Sequence, residues 1–323
     1  MISSKTRLHK FIWLTPELRK NYTRPEIMRN IEKYGVLISE KPSNTRLEWV
    51  YPGQNVTTPD WPERAVAPIQ DIRVLQETAD YIILFKPFGV PVQPGAGHVD
   101  DTVLNWLLAH YPEQKKLMSS SPENSNMRTV AGLVHRIDKN TQGILLVARS
   151  AEVHSQIQDE FRLRHITKKY LAVVLGIITE SHDLQGWQCR DKTNPMKQRF
   201  FENELEAKNY DMEARYVHSI ITPKKVCPEL SQTLIEVEIK TGRMHQIRVA
   251  CEYLGFPLVA EHLYNKSPVT AKNATSKIQD LSTADFVALK STIFGNVEFC
   301  LLANEISISK EKISLTYFDL NSY

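Results

Sequence analysis

The chain has 323 residues, 42% hydrophobic and 24% charged, which excludes a disordered chain, and its 12 Gly and 17 Pro exclude a collagen-like one. With 40 Lys and Arg against 37 Asp and Glu, the net charge is only +3. A polyanionic partner would have to be met by a local patch rather than by overall charge.

The length fits two domains at roughly 100–200 residues each. The four cysteines, Cys189, Cys227, Cys251 and Cys300, lie 38, 24 and 49 residues apart. This spacing, with no Cys-x-x-Cys pair, argues against a zinc site or a disulfide framework and fits a reducing compartment. Met1 to Trp13 carries Lys5, Arg7 and Lys10 but no apolar run of signal-peptide length. The longest aliphatic stretch, Leu171 to Ile178, falls far short of the ~20 residues that span a bilayer. The expectation is a cytoplasmic protein with no membrane segment and no metal. Without a coiled-coil pattern, a monomer is expected.

Residues 1–34 hold eight Lys or Arg against three Glu. Within them Thr23-Arg24-Pro25-Glu26 reads as a capping box that opens a helix. Ile27, Ile31 and Tyr34 recur at helical spacing, and Gly35 stops the helix. Arg29 and Lys33, four apart, share another face. Val36 to Ile38 reads as a short strand. Such a basic helical unit fits RNA contact and a solvated surface equally. Pro52, Pro59, Pro62 and Pro68 with Gly53 mark a linker. The expected organisation is a small basic domain over 1–58, a Pro-rich linker over 59–70 and a main domain over 71–323.

In the main domain, Tyr81 to Phe85 and Gly143 to Val147 read as buried strands. Ser119 to Asn126 and Asn265 to Thr275 read as long polar loops. Ser150 caps a helix with Val153, Ile157 and Phe161 on one face. Tyr170 to Leu175 reads as a strand, and Ile235, Val237 and Ile239 alternate with charged residues as in a half-buried one. His245 to Leu254 reads as a helix with Ile247, Ala250, Cys251 and Leu254 inward, ended by Gly255. Short strands among helices, without regular β-α alternation, predict an α+β fold.

Three segments carry the chemistry. In the first, His135-Arg136-Ile137-Asp138-Lys139 lies between two aliphatic strands. A lone Asp in a turn commonly serves the turn itself, but cations on both sides favour an ionised group near a phosphate-rich substrate. In the second, Arg162, Arg164, His165, Lys168 and Lys169 precede Tyr170. Cations can track phosphates while a ring stacks on a base, an aromatic contact worth ~1–3 kcal/mol. The alternative is a helix C-terminus with compensating cations and a core tyrosine. In the third, Thr241-Gly242-Arg243-Met244-His245-Gln246-Ile247-Arg248 turns from a strand into a helix, where backbone N–H groups can hold an anion.

Together these segments closely resemble the RluA-type pseudouridine synthase family, with its H-R-L-D-x-x-T-S-G core, a Lys-Lys-x-Tyr-like stretch and T-G-R-x-H-Q-I-R. Phe85-Lys86-Pro87-Phe88-Gly89-Val90 is similar to its N-K-P-x-G strand end, Asn194 to Gln198 to its Pro-x-Lys-Gln turn, and Ala214-Arg215-Tyr216 to its Thr/Arg–aromatic strand. The resemblance runs from about Val74 to Tyr264, and residues 1–58 resemble the small S4-like RNA-binding domain. It implies a pseudouridine synthase fold, a mixed and mostly antiparallel sheet flanked by helices and loops, beside a small N-terminal α/β domain. The implied reaction isomerises uridine in structured RNA without a cofactor. Ribosomal RNA of the large subunit is the favoured partner and transfer RNA the alternative.

The resemblance further implies that Asp138 is the catalytic carboxylate, as nucleophile or as base, and that Arg136 fills the gap left by the flipped base. Tyr170 would stack on the extruded uracil, and Arg248 would pair with Asp138 and keep it ionised. RNA contacts are expected from His135, Arg162, Arg164, Lys168, Lys169, Lys197 and Arg243, and from Arg24, Arg29 and Lys33 in the basic domain. The chain departs from the family pattern at Asn140, Gln142, Ala250, Phe256, Ala260-Glu261 and Leu301-Leu302-Ala303. A non-catalytic RNA-binding or ribosome-assembly protein is the main competing reading. No Gly-x-Ser-x-Gly, P-loop or paired-ligand spacing supports a hydrolase or metalloenzyme.

Overall fold

The computed structural model describes residues 4–14, 24–59, 61, 71–95, 98, 101–118, 131–264, 281–295, 299–308 and 313–320. The chain divides into two compact units. The first comprises Met1–Ile82, Val90–Arg136 and Leu146–His154, and the second comprises Ile83–Gly89, Ile137–Leu145 and Ser155–Tyr323. The side chains of the predicted Thr23–Glu26 capping box, the linker residues Pro62 and Pro68, and the polar stretches 119–126 and 265–275 lie outside the described residues.

The first unit begins with β1 (Thr6–Arg7), α1 (Leu8–Trp13) and α2 (Arg24–Tyr34). β2 (Val36–Ile38), β3 (Lys41–Ser43), β4 (Trp49–Val50) and β5 (Val56–Thr57) follow. β1 pairs antiparallel with β4, and a small sheet runs β3-β2-β5. The predicted helix periodicity is realised at Ile27 and Ile31 but not at Tyr34, which is exposed at the end of the helix. Ile27 and Ile31 are buried in a cluster with Leu8, Ile12, Val36, Ile38, Val50 and Trp61, while Glu32 and Lys33 are exposed. Gly35 ends α2 at φ +73, and its amide donates to Ile31 O at 2.9 Å.

Later in this unit, β6 (Arg73–Glu77) turns into β7 (Tyr81–Lys86), whose residues from Ile83 on belong to the second unit, with Thr78 N donating to Tyr81 O at 2.9 Å. α3 (Val103–His110) is opened by a reciprocal cap between Thr102 and Asn105. A 3₁₀ segment follows at Pro112–Met118. His135 Nε2 accepts the Leu146 amide at 3.0 Å, so this ring serves the backbone locally.

The remaining elements are β8 (Gln142–Ala148), α4 (Ala151–Leu163), β9 (Ile166–Leu175), β10 (His182–Arg190), β11 (Gln198–Phe201) and α5 (Glu204–Tyr210). After these come β12 (Arg215–Cys227), β13 (Gln232–Ile239), α6 (Gln246–Tyr253), α7 (Thr283–Phe294), β14 (Leu301–Ile308) and β15 (Ile313–Thr316). In the second unit the strands are ordered β11-β10-β12-β13-β9-β14-β8-β7, with β15 on β14. Every registered pair is antiparallel except β14 with β8, which gives the mixed, mostly antiparallel sheet expected of the α+β class. β9 is central. Leu171, Ala172, Val173 and Val174 are fully buried, and each larger aliphatic side chain contributes about 1.5–3 kcal/mol by leaving water. β9 also begins at Ile166, so Lys168 and Lys169 belong to the strand rather than to the loop before it.

On β13, Ile235, Val237 and Ile239 are buried while Glu236 and Glu238 are half-buried, matching the alternation. Ser150 caps α4 by accepting from Val153 N at 3.2 Å. The last predicted helix is shorter than expected at its start. His245 stands at the N-cap of α6 in the left-handed region, φ 58 and ψ 20, and the helix proper opens at Gln246. One of the departures from the family pattern, Gln142, has a local reason. Gln142 Nε2 donates to Phe294 O at 3.0 Å, satisfying the carbonyl of the last residue of α7. Leu302 and Ala303 supply the register for β8, opposite Gln142 and Gly143. No helix among the described residues is long and apolar enough to cross a membrane. All four cysteines are free and buried.

Gly143 lies at φ +121, and a Cβ there would collide with the Ala303 carbonyl. Gly143→Ala is therefore expected to destabilise the protein by about 2–3 kcal/mol, measured as a lower denaturant midpoint. An unchanged midpoint would contradict the close approach of β8 to β14.

Candidate active site

Asp138 lies in the turn that leads into β8, where Thr141 N donates to Asp138 O at 3.1 Å. The turn is held from the end of β7. The Lys139 carbonyl accepts the Gly89 amide at 3.0 Å and Lys86 Nζ at 2.9 Å, and Lys86 Nζ also donates to Pro87 O at 2.8 Å. Lys86 is fully buried. Burial pushes its ammonium down to about 7, against the opposing pull of the Asp138 charge. The Asp138 side chain itself keeps a quarter of its surface open.

Tyr170 is buried on β9, between Val237 of β13 and Ala303 of β14. Burial raises its phenol strongly, and the charge of Asp138 adds to this. Phe85, Asp138, Tyr170 and Arg248 all belong to the second unit.

Arg248 projects from α6. The resemblance implies that it pairs with Asp138, but in the structure its hydrogen bonds go elsewhere. Nε and a terminal nitrogen each reach an oxygen of Glu261 at 2.7 Å, a bidentate fork. Glu261 is the residue that stands where the family has Asp. Its side chain is 1% exposed and also accepts the Leu263 amide at 2.8 Å and the Tyr264 amide at 3.3 Å. Burial would raise this carboxyl, but the Arg248 hydrogen bond and charge and the two amides outweigh it, and the net shift is downward. For Arg248 burial is likewise outweighed, by Glu261 first and by the Asp138 charge after it. Glu261 thus holds Arg248 by hydrogen bonds, and the Asp138 charge adds to the field on this guanidinium.

The T-G-R-x-H-Q stretch closes on itself. The Gln246 side-chain oxygen accepts Thr241 Oγ1 at 2.7 Å and the Arg243 amide at 3.0 Å. Its amide nitrogen donates to His218 O at 3.0 Å and Ser219 Oγ at 2.9 Å. This buried glutamine fixes the turn that presents His245, whose Nε2 is 3.9 Å from Asp138 Oδ2. His245 Nδ1 is 2.8 Å from the Tyr264 hydroxyl. Sequence reasoning gave no site role to Lys86, His245, Glu261 or Tyr264. Each lies inside or beside a motif already quoted, but only the fold brings them around one carboxylate.

The predicted RNA-facing cations have distinct surroundings. Arg136 is exposed, two residues before Asp138. Arg162 is exposed and 3.0 Å from Asp159, and Lys169 is 3.0 Å from Glu305, so both have a carboxylate within the protein. Arg164, at φ +61, lies 5.8 Å from the Tyr216 ring. Lys168 Nζ donates to Thr241 O at 3.1 Å, and burial with the nearby charge of Arg243 pushes it down to about 8. Arg243 is itself lowered by burial and by Arg215 and Arg164, a concentration of like charge suited to an anion. Lys197 lies 5.8 Å from the Tyr264 ring. In the basic domain Lys33 is exposed beside the Tyr34 ring, Arg29 is half-buried, and the Arg24 side chain lies outside the described residues. Among the described residues no three His, Cys, Asp or Glu side chains form a group that could hold a metal ion.

Residues 80–253, more than half of the chain, match the family model described as RNA pseudouridylate synthase. The chain belongs to that family. A Bacillus subtilis (strain 168) protein named uncharacterized RNA pseudouridine synthase YlyB is 30% identical over 265 residues, covering 80% of this chain and 78% of the relative. An Escherichia coli (strain K12) protein named ribosomal large subunit pseudouridine synthase D is 30% identical over 281 residues, covering 86% and 79%. The solved structure of human RNA pseudouridylate synthase domain containing 1 shares the fold, with a TM-score of 0.54 at 18% identity over 78% of this chain and 84% of that one. The protein is an RNA pseudouridine synthase, an isomerase that converts uridine to pseudouridine within RNA.

In this synthase the Arg248–Glu261 pair makes a direct prediction. Glu261→Gln leaves a buried guanidinium without its counter-charge and is expected to cost about 3–5 kcal/mol near neutral pH. The folded-state pKa of Glu261 lies below its ordinary value of 4.5. The stability it contributes is therefore present above 4.5 and lost as pH falls through the folded value. Denaturant unfolding of both proteins against pH should show the difference shrinking in acid; a constant difference would contradict the pairing.

Proposed function

We propose that the protein acts on large-subunit ribosomal RNA, with Asp138 as the reacting carboxylate on a flipped-out uridine. The observation that carries this reading is the partly open Asp138 carboxylate in a turn pinned from below by Lys86 and flanked by Tyr170 and Arg248. The naming of relatives as ribosomal large subunit pseudouridine synthase D supports the choice of RNA.

The bond from C1′ to N1 of the uridine breaks, the uracil turns, and a bond from C1′ to C5 forms as C5 loses its proton and N1 takes one up. The atoms are conserved and no redox partner is required. Asp138 supplies either attack at C1′ or removal of the C2′ proton. Tyr170 offers a ring face to the uracil, and Arg136 substitutes for the base taken out of its stack, which costs a few kcal/mol. Arg164, Arg215, Arg243 and Lys168 gather positive charge for the phosphates of the strand. Residues 1–58 act as an S4-like RNA-binding domain, joined by the 59–70 linker to the catalytic domain over 71–323. The enzyme works as a monomer in the cytoplasm.

The test uses transcripts of ribosomal and transfer RNA carrying tritium at uracil C5. Release is expected from the large-subunit transcript, and Asp138→Asn should lower it by at least about 1,000-fold with RNA binding kept. Release from transfer RNA alone would move the substrate assignment, and turnover by the Asn variant would remove Asp138 from its role.

A further inference from the structure

A buried hydroxyl and an imidazole stand in series behind Asp138. The Tyr264 hydroxyl accepts the Gln198 backbone amide at 2.8 Å and is 2.8 Å from His245 Nδ1. A tyrosine hydroxyl has one proton to give. With Gln198 already donating to its oxygen, that proton is free for Nδ1. A neutral imidazole that accepts at Nδ1 carries its own proton on Nε2, the nitrogen 3.9 Å from Asp138 Oδ2. The opposite tautomer would turn an Nε2 lone pair toward the carboxylate.

We infer that His245 is a positioning residue for Asp138, its Nε2–H held toward the carboxylate by a relay that runs from the Gln198 amide through the Tyr264 hydroxyl. The inference rests on the reading of Asp138 as the reacting group. At 3.9 Å the contact is too long for a hydrogen bond. It favours one orientation of the carboxylate by charge–dipole attraction and leaves the oxygen lone pairs open for substrate.

Two independent features support a dedicated role. His245 occupies the left-handed region, which non-glycine residues rarely adopt and which concentrates where a side chain must be aimed. As the N-cap of α6 it makes no side-chain cap to the helix; its ring meets Tyr264 instead, edge-on at 86°. Tyr264 is itself immobilised. It is 1% exposed, with the Arg248 guanidinium 5.2 Å and the Lys197 ammonium 5.8 Å from its ring. The relay is anchored outside α6, because Gln198 opens β11 directly after the Asn194–Lys197 turn.

Two measurements on the full-length protein test this. The first labels histidine with nitrogen-15 and reads which ring nitrogen of His245 carries the proton, with His245→Gln assigning the signal. The expected result is protonated Nε2 in the wild type and a mixture in Tyr264→Phe; a wild-type ring protonated at Nδ1 overturns the inference. The second is single-turnover tritium release from the large-subunit transcript. His245→Leu should slow the step on the order of 100-fold while RNA affinity stays within about twofold, and His245→Gln, whose amide can place an N–H near the Nε2 position, should recover at least about tenfold of that. An unslowed Leu variant, a loss of affinity equal to the loss of rate, or a Gln variant no faster than Leu each overturn it. If the wild type releases no tritium from this transcript, the substrate assignment fails, and the nitrogen-15 result alone decides the relay.

Discussion

The site depends on a lysine with no access to water. Lys86 ends β7, a run of aliphatic and aromatic residues, and buries its ammonium completely. Removing such a charge from water is costly, and here burial lowers its affinity for a proton to near neutrality. Its bonds to Pro87 O and Lys139 O offset part of that cost, and the Asp138 charge favours the protonated form. With the Gly89 amide on the same Lys139 carbonyl, the end of β7 and the Asp138 turn become one rigid piece. The charged residue that destabilises the core is the residue that holds the carboxylate-bearing backbone.

The side chains around Asp138 are arranged on the same principle, each fixed by a partner that is not the substrate. Glu261 takes both hydrogen-bonding arms of Arg248, which fixes this cation within the field of Asp138. A glutamate in place of the family's aspartate is one methylene longer, and in this fold that carboxylate spans Arg248 and the amides of Leu263 and Tyr264 at once. Gln246 satisfies both sides of its amide inside the turn before α6, which removes a buried polar liability and sets the entry of the helix. The neighbouring Arg164, Arg215 and Arg243 form the contrasting case. Their charges reinforce rather than cancel one another, which is unfavourable for the free protein and favourable for a phosphate chain.

Much of this architecture could be read from the residues because local signals and tertiary packing agree. Ile27 and Ile31 predict the buried face of α2, Ser150 the start of α4, and Ile235, Val237 and Ile239 the buried side of β13. The motifs likewise led to Asp138, Tyr170 and Arg248, which the fold couples electrostatically. Other features were hidden for physical reasons. β14 lies more than 120 residues from both β8 and β9, so its pairing leaves no local periodicity. A histidine in a left-handed N-cap has no propensity signature; helical spacing alone extends α6 through it. The Thr102–Asn105 cap uses an Asn where the usual pattern has Glu or Gln. Glu261 looked like a departure because a motif records residue type, whereas its role depends on how far a carboxylate reaches from its backbone.

The most direct measurement is the single-turnover rate of Lys86→Met on the ribosomal transcript, taken together with its RNA affinity and thermal midpoint. Methionine fills similar space without the charge, so the fold should hold and the midpoint should stay level or rise. If the buried ammonium is what fixes the Asp138 turn, the rate falls on the order of 100-fold while affinity is kept. A variant as fast as the wild type, with the same affinity, would show that Asp138 is placed by other means.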